Sequence, residues 1–171
     1  MNSFSAKYNL IKTLVFTLIF FLNQTLANSL EILNVAPNFI FSVILCASLI
    51  ENDTSNIYYS LAFGLLFDFF NGKIMGVHTV LFVLIPFVLS EFYHNYFENM
   101  VSVKTLFAFI GCLMYSLLFA IFFGLRGEGF LDIFINVSLV ELIYNSVITI
   151  IAIFIYRKII SLRRTAWRVR W

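Results

Sequence analysis

The sequence predicts an all-α integral membrane protein, a bundle of six transmembrane helices, and three observations carry that expectation. Of the 171 residues, 61% are hydrophobic and 12% charged, against about 45–50% and about 25% in a soluble domain. Mean hydropathy is +0.95. The apolar residues fall in uncharged runs rather than in alternation, which excludes a transmembrane barrel and leaves helices as the spanning form. With 22 Phe against 2 Pro and 7 Gly, the chain is neither disordered nor collagen-like.

The uncharged runs are Thr13–Leu30, Ile32–Ile50, Thr54–Phe67, Ile74–Ser90, Thr105–Leu125 and Ile133–Tyr156, the last interrupted by Glu141. At roughly 1.5 Å per residue, five of them approach or exceed the roughly 30 Å hydrocarbon core. The third has 14 residues and spans fully only if Asp68 and Asn71 are carried into the membrane or its interface. The expected spans are residues 10–30, 32–50, 54–71, 74–93, 104–125 and 132–156, forming one domain over 1–156, with a basic tail over 157–171. The connections are too short for an extramembrane domain. Cys46 and Cys112 fall in apolar runs and read as small core residues.

Charge sets the orientation. Six of the 11 Lys and Arg residues lie between Arg157 and Arg170. With both termini cytoplasmic, Lys7, Lys12, Lys104 and the tail put nine basic groups inside, leaving Lys73 and Arg126 outside. The N-terminal run also reads as a cleavable secretory signal, with small residues near Ala27. In the tail, Arg157, Lys158, Arg163, Arg164, Trp167 and Arg168 resemble an interfacial segment suited to anionic lipid or a cytoplasmic partner. The concentration of basic charge concerns orientation and does not point to nucleic acid.

Polar groups inside a bilayer are costly, so each is a candidate site. Glu141 lies deepest, with Ser138, Tyr144 and Asn145 on its helix face. It reads as a carboxyl holding helices together, as a ligand or proton site, or as a contact for a partner helix. The densest polar string runs from Gly64 to His78. Gly64, Asp68 and Asn71 share one helix face; Gly72 suits a tight reversal. Asp68 is placed to accept hydrogen bonds from the free N–H groups that begin the next helix, near Gly76. Asp68 with His78 alone is an incomplete set for a metal or for proton transfer. Glu91 and His94 read as a solvated i, i+3 pair, and Arg126, Glu128 and Asp132 as a polar cap. The sequence carries no nucleophile elbow, phosphate loop or His-Glu-x-x-His motif, so no enzyme, cofactor or metal is expected.

The ordered set Gly64-Leu-Leu-Phe-Asp68, Asn71-Gly72, Gly76 and His78, with Pro37 before an apolar second helix, resembles the signature of the rod shape-determining MreD family. Asn38 stands where that family often has Asp, and Glu51 and Asp53 where it often has basic residues. The resemblance implies a non-enzymatic component of the bacterial inner membrane. It would bind the transmembrane helix of MreC and link cytoplasmic MreB filaments to the peptidoglycan synthases. The family is also similar in overall fold to the substrate-binding subunits of energy-coupling-factor vitamin transporters, which supplies the alternative function.

Overall fold

The computed structural model describes residues 3–31, 33, 35–71, 74–97 and 101–168. Six helices succeed one another among them: α1 (Ser3–Leu26), α2 (Phe39–Ile50), α3 (Ser55–Asn71), α4 (Val77–Tyr96), α5 (Val101–Phe123) and α6. α6 opens with a short turn at Phe130–Ile133, widens into a π-helical turn at Phe134–Ser138 and continues as a regular helix over Leu139–Arg168. Four stretches are long and apolar enough to cross a bilayer: Lys7–Leu26, Val77–Tyr96, Ser102–Gly127 and Phe130–Lys158.

The second expected span, residues 32–50, is corrected by the structure: its helix begins only at Phe39. Pro37 lacks an N–H and disfavours helical backbone in the residue before it. Asn38 then caps α2, its Oδ1 accepting from the Phe41 N–H at 3.1 Å. The resulting 12-residue helix is roughly 18 Å long, too short to cross alone. The non-helical lead is tolerated because Val35, Pro37 and Asn38 are buried in protein rather than lipid. α2 is apolar nearly all round, and its residues Ile40–Ser42 and Ile44–Leu49 are buried, as a helix at the centre of a bundle must be. It packs against every other helix.

α3 runs unbroken from Ser55 to Asn71, with Asp68 and Asn71 in its last turn. It pairs most extensively with α4. Gly64 permits that approach: a Cβ there would sit 2.8 Å from the Thr79 Cα, and backbone cannot swing aside as a side-chain tip can. Gly64→Ala is therefore expected to lower the melting temperature by an overpacking penalty of about 1–3 kcal/mol, read as thermal stability in detergent. Between α5 and α6 the chain reverses at Gly127 and Gly129, with φ of 91° and 76°, values an L side chain rarely adopts.

Aromatic rings fill the interior. The Phe41 ring centroid lies 4.4 Å from that of Tyr115 and 5.4 Å from that of Phe82, whose own lies 5.4 Å from that of Phe67. Cys46 and Cys112 are buried and unpaired with one another. The hydroxyls of Tyr8, on α1, and Tyr156, on α6, meet at 3.1 Å, so both helix ends near the termini share one end of the bundle. That end is termed proximal and the opposite end distal.

Candidate functional site

Two polar layers interrupt the apolar bundle. At the distal end the chain must start α4 inside the bundle, where its first N–H groups have no helical acceptor. Asp68 supplies one from α3. Its Oδ2 accepts from the Gly76 N–H at 3.0 Å, the Thr79 N–H at 2.8 Å and the Thr79 hydroxyl at 2.5 Å, and its Oδ1 from the His78 N–H at 3.0 Å. Gly76, with φ of 99°, turns the chain into this cap. A carboxylate at a helix N-terminus also meets the favourable end of the helix dipole. Asp68 is 2% exposed yet fully engaged. Gly72, expected in the same reversal, lies outside the described residues, as does Lys73.

Deeper in the same layer, hydrogen bonds converge on Tyr115 of α5. Its hydroxyl receives the Asn38 Nδ2 at 3.3 Å, meets His78 Nδ1 at 2.9 Å and lies within hydrogen-bonding reach of the Glu141 carboxyl. Asn145 accepts from the Asn38 N–H at 2.9 Å, and its Nδ2 approaches Glu141 Oε1 at 3.5 Å. Asn23 of α1 accepts from the Phe39 N–H at 2.8 Å. Thus the irregular lead into α2, the start of α4 and the polar stripe of α6 share one network. The stripe contains Ser138, Glu141, Asn145 and Thr149, all buried; Tyr144 diverges, donating to the Leu30 carbonyl at 2.8 Å. A cavity of about 130 Å³ borders the layer, and Pro37, Asn71, His78 and Glu141 contribute to its wall.

At the proximal end Lys12 of α1 is buried and forms an ion pair with Glu51, at the end of α2. It also donates to the Asn56 Oδ1 at 2.6 Å, while the Tyr8 and Tyr156 hydroxyls donate to Glu51 Oε1. Asp53, outside the spans, accepts from the Ser55 hydroxyl at 2.6 Å and the Ser55 N–H at 2.9 Å; these bonds hold its carboxyl below the ordinary range.

Sequence reasoning gives Lys12 only an orienting charge and counts Glu51 as a departure from a family pattern. Their opposite charges at the ends of successive runs are the available signal. Tyr115 escapes it because a Tyr among Phe and Leu residues has no distinguishing periodicity. The expected Glu91–His94 pairing is corrected: Glu91 accepts from the Asn95 Nδ2 at 3.0 Å, and His94 Nε2 meets the Ser48 carbonyl at 3.2 Å. Their backbone spacing allows a pair, but each finds a nearer partner. Arg126 and Asp132 are exposed at the distal reversal. α6 continues through Arg163, Arg164, Trp167 and Arg168; Arg157 is half-buried and Lys158 exposed.

Among the described residues no group of three or more His, Cys, Asp and Glu side chains is arranged to hold a metal ion. Apolar helices of spanning length, joined internally by polar networks, define a multi-pass membrane protein of the helical-bundle class. The family model for the rod shape-determining protein MreD matches residues 5–163, and the chain belongs to that family. It is accordingly a rod shape-determining membrane protein, of a family of shape-determining structural proteins. No curated protein and no solved structure matches the chain.

Proposed function

We propose that the protein is a non-enzymatic adaptor in the inner membrane of a rod-shaped bacterium. In this reading it binds the transmembrane helix of MreC and couples MreB filaments in the cytoplasm to peptidoglycan synthesis outside. Membership of the MreD family over residues 5–163 carries the proposal. The bundle is consistent with it in two respects. Its short connections offer no extramembrane domain, so a partner must be met largely inside the bilayer. Its outward faces offer large apolar side chains, such as Leu14, Leu18 and Phe21 on α1. Helix association in lipid depends on close packing and shared polar groups, which favours a small-residue or aromatic face over a charged one.

The proximal end is assigned to the cytoplasm. Lys12, Lys104 and the basic continuation of α6 lie towards it, where Arg157, Lys158 and the arginines beyond would meet anionic lipid. Pro37, Gly64, Asp68, Asn71, Gly76 and His78 are assigned a structural role in the distal layer, with Glu141 and Asn145 joining it to α6. Reporter fusions test the orientation: a fusion at Trp171 should be active only in the cytoplasm, and periplasmic activity there contradicts the assignment.

The likeness to substrate-binding subunits of energy-coupling-factor transporters rests on family resemblance alone. The polar cavity of the distal layer, about 130 Å³, is smaller than the roughly 300–1,000 Å³ of drug-sized ligand sites, which disfavours a vitamin as the occupant of that cavity. Copurification decides between the two readings. MreC should be retained through solubilisation in mild detergent, and a thermal-shift screen against vitamins should give no response; loss of MreC together with a vitamin response favours the transporter.

A further inference from the structure

The distal cavity has a chemistry that the adaptor role does not use. Its polar lining comes from Asn23, Asn38, Asn71, His78, Tyr115 and Glu141, groups brought together from several helices. Glu141 is 7% exposed, and among the described residues that line the cavity there is no Lys or Arg. Asp68, a second buried carboxylate of the distal layer, is satisfied by three N–H groups and a hydroxyl. Glu141 has the neutral Tyr115 and Asn145 beside it, and His78 shares the cavity wall. A carboxyl buried without a countercharge stays neutral unless a charged hydrogen-bond donor offsets the cost of ionising it.

We propose that this cavity binds an ammonium group, carried by a small molecule or by a lipid headgroup, with Glu141 as its counter-ion. The size fits: about 130 Å³ is close to the roughly 150 Å³ cavity that accepts benzene, so the occupant has about six non-hydrogen atoms within the cavity. The sign fits as well. An anion would meet the Glu141 carboxylate, whereas an ammonium presents donors to it and to the oxygen of Asn71 at the exposed mouth. Phe67 and Phe119 complete the wall with aromatic surface, on which a cation is also stabilised.

The test uses the full chain and ethanolamine as the probe, with acetate as the anionic control of similar size. In lipid-free detergent, saturating ethanolamine should raise the melting temperature by about 5 °C, and acetate should not. Glu141→Gln keeps the shape and loses the charge; it should weaken the apparent affinity roughly tenfold to a hundredfold. Asn71→Phe, which closes the exposed mouth without entering the bundle, should weaken it comparably and guards against a folding defect in the first variant. A headgroup source would instead appear as higher stability in phosphatidylethanolamine than in phosphatidylglycerol nanodiscs, lost in Glu141→Gln. Absence of both the ethanolamine shift and the lipid preference overturns the proposal. An equal response to acetate, or responses unchanged in both variants, overturns it too. MreC binding is scored separately, so either result leaves the adaptor reading standing or falling by itself.

Discussion

Glu51→Gln should be among the most damaging single substitutions in the chain, because it leaves the Lys12 ammonium buried without its counter-ion. Lys12 is 5% exposed, and removing one partner of a buried pair costs about 3–5 kcal/mol. Asn56, which accepts from Lys12 at 2.6 Å, is neutral and replaces only part of that interaction. The double variant Lys12→Met, Glu51→Leu removes both charges. It should recover most of the lost stability, since an apolar replacement of a buried pair is often close to neutral. Melting temperature and membrane abundance read both. Single and double variants that are equally impaired would mean that the ion pair itself, not the stranded charge, is what the fold requires.

Asp68→Leu is the second. It strands the N–H groups of Gly76, His78 and Thr79 and the Thr79 hydroxyl. With unpaired buried groups at about 1–3 kcal/mol each and some relaxation of the turn, the expected loss is on the order of 4 kcal/mol. Asp68→Asn keeps one oxygen acceptor and should lose about half as much, seen as a smaller fall in melting temperature and abundance. If instead both variants abolish function completely at normal abundance, the charge has a role beyond capping.

The two polar layers differ in how legible they are in the sequence. Asp68 is readable because local spacing governs it: Gly64, Asp68 and Asn71 recur on one helix face, and the acceptor lies only eight residues before the first donor, Gly76. The same holds for Glu141 and Asn145, four residues apart on α6. The Lys12–Glu51 pair and the Asn38–Tyr115–His78 network join residues 37 or more positions apart, and no local pattern announces which helices will be neighbours. The start of α2 is misread for another reason. Hydropathy joins Ile32–Asn38 to the apolar stretch Phe39–Ile50 in one run, whereas Pro37 and the Asn38 cap fix the helix start at Phe39. Apolarity does not report backbone conformation, and here the buried residues Val35, Pro37 and Asn38 are irregular.

Depletion in the native bacterium tests the central claim most directly. Rod-shaped cells depleted of this protein should round up and widen while solute uptake continues, and cell width should be restored by the wild-type chain and largely by Asp68→Asn. Depleted cells that keep their rod shape, at a depletion confirmed by immunoblot, would contradict the account.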